Sequence, residues 1–163
     1  MTSNPEFRSK VLTYLREHNA MSLATLSEGQ PWAAAVFYVH DDRINLYFLS
    51  DPKARHSQQL MKNPRVSVAI NEDYRDWREI KGIQLEGIAG KVTSPVEKAR
   101  ALTLYLSKFP FVRDFVTSPL AVLTHMAIAG KPFSVEVYKV TPERLFYLDN
   151  ETGFSHRAEL PLK

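Results

Sequence analysis

The sequence predicts a mainly β (α+β) chain, a small and mostly antiparallel barrel with helices between and after its strands. Three observations carry that prediction. About six short apolar or alternating runs follow one another at hairpin spacing. Two segments repeat their apolar residues at helical spacing instead. The 163 residues, 44% hydrophobic and 24% charged, suit one globular domain, 1–163, and not a disordered, collagenous or coiled-coil chain.

The elements follow in order. Asn4 before Pro5 reads as an N-cap and first helical residue. Phe7, Val11, Tyr14, Leu15 and His18 continue that helix. Met21 to Leu26 is a strand, Ser27-Glu28-Gly29-Gln30 a turn, and Pro31 to Val39 a second strand. The latter is almost entirely apolar, as expected of a strand buried on both faces. His40-Asp41-Asp42-Arg43 makes a tight connection to a third strand, Ile44 to Leu49. Asp51-Pro52 opens a short helix that Asn63-Pro64 ends. Val66 to Asn71 is a strand and Glu72 to Glu79 a polar loop. Ile80 to Thr93 is a longer strand, and Gly82, Gly87 and Gly90 mark bends or bulges in it. Pro95 starts a helix with Leu102, Tyr105, Leu106 and Phe109 on one face. A second helical segment is expected at Pro119 to Met126, then strands at Phe133 to Val140 and Leu145 to Leu148.

Several function classes are excluded early. There is no cysteine, hence no disulfide framework, thiolate zinc site, iron–sulfur ligation or cysteine nucleophile. No apolar run approaches the ~20 residues of a membrane span, and the charged N-terminal stretch lacks a signal-peptide core. The expected location is the cytoplasm, with no membrane partner. The net charge of +3 is interspersed, which does not point to nucleic acid. The five histidines, at 18, 40, 56, 125 and 156, show no ligand spacing, so no metal is expected. No glycine-rich phosphate loop or nucleophile elbow is present.

Three segments carry chemistry. In Leu49-Ser50-Asp51-Pro52-Lys53-Ala54-Arg55-His56 a strand gives way to a helix whose first turn gathers cations. Cations there lose about 0.3–1 kcal/mol each against the helix dipole, and an anion reverses the sign. Local chemistry leaves two readings, a solvated basic turn or a phosphate pocket built from side chains. In the second segment, Gly82, Gln84 and Glu86 share one strand face. It reads either as a solvent face or as a place where a flat polar ligand approaches the backbone beside Gln84. The third, Tyr147 to Phe154 followed by His156 and Arg157, is a hairpin turn. Its Phe154 either packs on the core or covers a ligand.

In these segments the sequence resembles the pyridoxamine 5′-phosphate oxidase-like, FMN-binding split-barrel family, and most nearly an uncharacterised bacterial branch of it. The family pattern runs from an aromatic-rich strand through Thr-Asn and Ser-Arg-Lys to Asn-Pro. Here Phe48 to His56, running to Asn63-Pro64, keeps that spacing without a gap. The branch pattern adds Gly82-Ile83-Gln84 with Gly87, Lys108-Phe109-Pro110, and Asp149-Asn150 with Gly153-Phe154. The resemblance implies a six-stranded antiparallel split barrel, a two-fold homodimer and FMN at its interface. It places Ser50, Arg55 and His56 at the FMN phosphate and Leu49 near the ring. The backbone of Ala33, Ala34, Ala35 and Val36 then runs beside the ring, with Gln84 at its polar edge and Phe154 reaching in from the other subunit.

The resemblance further implies flavin redox chemistry with a small-molecule substrate or electron donor. Authentic pyridoxamine 5′-phosphate oxidases carry Arg and Lys where this chain has Ala34 and Val39, so vitamin B6 oxidation itself is not implied. No catalytic side chain stands out. The alternative is a flavin- or haem-binding module without turnover, with His56, His125 or His156 as the candidate axial ligand.

Overall fold

The computed structural model describes residues 4–115, 126–128, 131–133 and 135–162. Three α-helices and a seven-stranded antiparallel sheet make up most of it. The order is α1 (Pro5–Glu17), β1 (Ala20–Ser27), β2 (Gln30–His40), β3 (Leu46–Ser50), α2 (Arg55–Lys62), β4 (Arg65–Asn71), β5 (Lys81–Lys91) and α3 (Pro95–Lys108). Short strands β6 (Met126–Ile128) and β7 (Lys131–Phe133) pair with each other, and β8 (Glu136–Asp149) and β9 (Arg157–Glu159) complete the sheet.

The strands run β3-β2-β1-β4-β5-β8-β9, and β3 also pairs with β8. Six strands thus close on themselves and β9 lies outside, the split barrel that the sequence predicts. Local chemistry sets the joins. Glu28 and Gly29 both take positive φ in the two-residue turn between β1 and β2, as the twist of such hairpins demands. Asn4 and Ser94 cap α1 and α3 with their side chains. Alternate residues of β1, Met21, Leu23 and Thr25, point into the barrel. Inside it, Leu23, Tyr38, Leu46, Phe48, Ile83 and Leu145 form one core. A second core lies outside the barrel, where α3 sets Leu102, Tyr105 and Phe109 against Val39, Tyr47 and Val137.

Three elements differ from expectation, and a fourth expectation lies almost wholly outside the described residues. The third strand begins at Leu46, because Ile44 takes φ +65° in a turn organised by Asp41. One Asp41 oxygen accepts the Arg43 and Asn45 N–H groups, and the other accepts the Asn45 amide. The helix after Pro52 starts at Arg55, since Ala54 is still extended. The two strands expected around 133–140 and 145–148 are one strand, β8, and Pro142 is accommodated at a bulge opposite Gly87. The helix expected at 119–126 falls outside the described residues up to 125, and Met126 opens β6. Among the described residues no helix is long and apolar enough to cross a membrane.

Candidate functional site

Of the three α-helices among the described residues, α2 alone begins without a side-chain cap or an acid in its first turn. Its first N–H groups therefore lack an intrahelical partner and keep the positive end of the dipole open. Polar side chains collect beneath it. Ser50, the last residue of β3, and His56 are both buried, and Ser50 Oγ shares a 2.6 Å hydrogen bond with His56 Nε2. Ser57 Oγ donates to Ser50 Oγ at 3.3 Å. Burial holds the His56 pKa below the ordinary imidazole value. Arg55 is exposed, and its guanidinium lies 4.4 Å over the Trp32 ring. Arg55 has no carboxylate partner among the described residues. Gln59 ties the helix to the β1–β2 turn by donating to Gln30 O and accepting from Thr25 Oγ1. Lys53 lies before the helix, outside its first turn.

The barrel is open beside this cluster. β2 pairs with β3 only from Tyr38 to His40. Its Gln30-to-Phe37 stretch therefore has no strand on that edge among the described residues. Tyr38 N–H points to the β1 side, where it donates to Asn19 O just ahead of that strand, while Phe37 O points away and accepts from Tyr105 Oη at 2.7 Å. Backbone groups alternate sides along a strand, so Ala33 and Ala35 turn their N–H and C=O to the open edge. This edge can hydrogen-bond a flat ring bearing donors and acceptors.

The side chains of β2 divide between two faces. Ala34 and Val36 face inward and are half-buried, with Val36 against the barrel core. Ala33 and Ala35 face outward and are exposed, as is Phe37 at 50%. Leu49 is half-buried against the outer core under α3. The outer face of β2 is thus open in the single chain, although its composition suits burial. Cross-strand pairing places Ala35, Ser22, Ala69 and Gln84 in one row across that face. A shallow groove of about 390 Å³ lies along it, floored by Ser22, Ala24, Ala33, Ser67 and Ala69 and bounded by Gln84 and Phe146.

Gln84 and Phe154 form a separate group. Gln84 is exposed, and its Oε1 accepts from Arg157 Nε at 3.0 Å. Phe154 is 79% exposed and meets Trp77 edge-on at 5.4 Å, so it does not pack on the core. On β8, Glu136 stands opposite Ser50 and Phe146 opposite Gln84. Ten residues of β8 lie between those two register points. Along the row from Ala35 to Gln84, three strand spacings lie between β2 and β5, on the order of 14 Å at ~4.8 Å each. Within one chain Gln84 is therefore out of hydrogen-bond reach of Ser50, Arg55 and His56, and Phe154 packs on Trp77 instead. His156 is exposed beside this group, and His125 lies outside the described residues.

Sequence reading missed Trp32, Ser57, Gln59 and Trp77. Ser57 was within reach, as the neighbour of His56 on the same helical turn. Trp32 and Arg55 are 23 positions apart, and only the docking of α2 on the β1–β2 hairpin brings them together.

The donor set fits a phosphate: free helix N–H groups, two hydroxyls, an imidazole and a guanidinium. Comparison with known proteins finds relatives of both the sequence and the fold. The chain is 24% identical over 145 residues to the UPF0306 protein of Klebsiella pneumoniae (strain 342), covering 88% of this chain and 86% of that one. Its fold matches a haem-binding protein from Mycobacterium smegmatis with TM-score 0.72 at 20% identity, over 98% of this chain and 59% of the other. It also matches a haem storage protein from Vibrio cholerae with TM-score 0.67 at 20% identity, over 96% and 100%. The family model for pyridoxamine 5′-phosphate oxidase aligns with residues 7–149. That span runs from α1 to the end of β8 and takes in the α2 cluster, the open edge of β2 and Gln84, so the chain belongs to the pyridoxamine 5′-phosphate oxidase family.

Proposed function

We propose that the chain, as one domain over 1–163, binds FMN in a cytoplasmic homodimer and serves as a flavin-dependent oxidoreductase toward a small-molecule substrate or electron donor. The observation that carries this reading is the pairing of an uncapped, cation-bearing helix start with an open strand edge beside it. FMN, when bound, supplies the hydride or electron chemistry, and the protein supplies position and electrostatics. The α2 N–H groups, Ser50, Arg55 and His56 hold the phosphate. Trp32 keeps the Arg55 guanidinium in place before the anion arrives. Ala33 and Ala35 offer backbone groups to the ring, and Leu49 and Val36 give it an apolar flank. The partner subunit's Gln84 and Phe154 complete the site, which accounts for their distance from the phosphate cluster within one chain. Ala34 and Val39 bring no charge to the ring or to a substrate phosphate, so vitamin B6 oxidation is not the reaction proposed.

Arg55→Ala tests the phosphate assignment. It is expected to weaken FMN binding by about 1.5–3 kcal/mol, the scale of a hydrogen bond to a charged group. Riboflavin, which lacks the phosphate, should bind wild type and variant equally. Fluorescence titration with both ligands reads this, and an equal loss for riboflavin overturns the assignment.

The pH dependence has a definite sign. Burial lowers the His56 pKa in the free protein, so the ring is neutral near pH 7. A bound phosphate favours the imidazolium, and binding then takes up a proton. FMN affinity should therefore rise as pH falls from about 8 toward the ordinary imidazole range near 6.5. His56→Gln should flatten the profile, and an unchanged slope in that variant excludes His56 from the phosphate.

The second reading, a haem-binding module, draws on the names of the two structural neighbours. His56 is spoken for by Ser50, which leaves His156 as the exposed imidazole among the described candidates. The spectrum of the purified protein separates the two, a flavin absorbance against a Soret band.

A further inference from the structure

A cavity of about 290 Å³ at the far end of β2 takes no part in the flavin reading. It is lined by Arg16, Val39, His40, Leu104, Ser107 and Lys108. Trp32 and His40 are eight residues apart on β2, about 26 Å at ~3.3 Å per residue, so this is not the α2 cluster.

Two cationic side chains and an imidazole, from three elements, line it: Arg16 of α1, Lys108 of α3 and His40 of β2. Lys108, the last residue of α3, donates its amine to Leu15 O at 3.2 Å and to His18 O at 2.5 Å, and stands 4.5 Å over the Tyr38 ring. Those bonds hold the ammonium at the end of α1. They also answer the carbonyls at the end of α1, where Leu15 O additionally accepts from Tyr38 Oη and Tyr14 O from His18 N–H. The negative end of the helix dipole is thereby largely neutralised.

Among the described residues no acidic side chain lines the cavity. Asp41, next to His40, spends its carboxylate on Arg43 N–H, the Asn45 N–H and amide, and Tyr47 Oη. Among the described residues Arg16, His40 and Lys108 make no ion pair. The cost is visible in their titration. Burial pushes the Lys108 amine down to about 8. Burial, together with the Lys108 and Arg16 charges, holds His40 below the ordinary imidazole range. The like charges of Arg16 and Lys108 are stabilised by an anion placed between them, and an anion there also favours the protonated form of His40.

We propose that this cavity is a second anion site, which takes the carboxylate or phosphate group of a small molecule with a short apolar body. Arg16, His40 and Lys108 face the anionic group and Ser107 adds a hydroxyl, while Val39 and Leu104 receive the apolar part. The volume is many times the ~30 Å³ share of one water, so it holds more than a bare ion. This gives Lys108, singled out by the Lys108-Phe109-Pro110 motif, a binding role besides its tie to α1.

His40 is the local reporter. Its imidazole signal is titrated by NMR in the full-length protein, in chloride, inorganic phosphate or propionate at equal ionic strength. One of the two oxyanions is expected to raise the His40 midpoint by about half a pH unit or more relative to chloride, with His156 unmoved. The anion that does so identifies the class, phosphate or carboxylate. Arg16 is exposed, so Arg16→Gln should fold normally and lose the response, whereas replacing Lys108 would also loosen α1. A His40 midpoint that ignores both anions, or an undiminished response in Arg16→Gln, overturns the proposal. The result is independent of FMN binding.

Discussion

Ala35→Glu is expected to hold the chain as a monomer and to abolish FMN binding with the same stroke. Ala35 sits in the row Ala35, Ser22, Ala69 and Gln84 on the outer face of the barrel, exposed in the single chain. Leu26 at 45%, Phe37 at 50% and Phe111 at 50% add large apolar side chains left open to water. The proposed homodimer covers this face, with more than about 2,000 Å² buried in total. A two-fold contact presents every substitution twice. Each uncompensated buried charge costs about 3–5 kcal/mol, so the pair costs on the order of 6–10 kcal/mol. Folding of the protomer should be unaffected, because residue 35 meets water there. Light scattering and FMN titration on Ala35→Glu, with Ala35→Ser as control, read the outcome. A dimer that persists in Ala35→Glu and still binds FMN excludes both this face as the interface and the shared site.

Gly87→Ala should be the most damaging small substitution in the barrel wall. A Cβ at Gly87 would overlap Thr141 O and fall 3.0 Å from Pro142 Cα. Both are backbone atoms, and no rotamer change moves them aside. The site is the bulge where the β5–β8 register shifts between Glu86 and Gly87, inside the longest strand pair of the barrel wall. Overpacking against backbone at such a point costs about 3 kcal/mol, or roughly 6–12 °C in Tm for a chain of this length. Gly90, three residues on in the same strand, has nothing within 4 Å of its would-be Cβ. Gly90→Ala is therefore expected to melt close to wild type. Thermal denaturation of the two variants side by side is the measurement, and equal melting temperatures would show that the bulge yields easily.

The local code of the chain was legible. Asn4-Pro5 began a helix, Glu28-Gly29 turned a hairpin, and Leu102, Tyr105 and Phe109 marked the buried face of α3, because capping, positive φ and helical period each depend on residues within one or two turns. The cations ahead of α2 were legible too, as a local electrostatic conflict. Pairing across the barrel was not. Thr141-Pro142-Glu143 reads as a break between two strands, yet it is the bulge of one strand, since the residue that makes room for it, Gly87, lies 55 positions earlier. Trp32 under Arg55, His56 on Ser50, and the separation of Gln84 from both are consequences of docking and register, which no window of sequence contains. The sequence by itself determined which residues carry charge, aromatic surface and turn geometry. Only the tertiary structure decided which of them meet, because a strand's neighbours are chosen by the closure of the whole sheet and not by the strand.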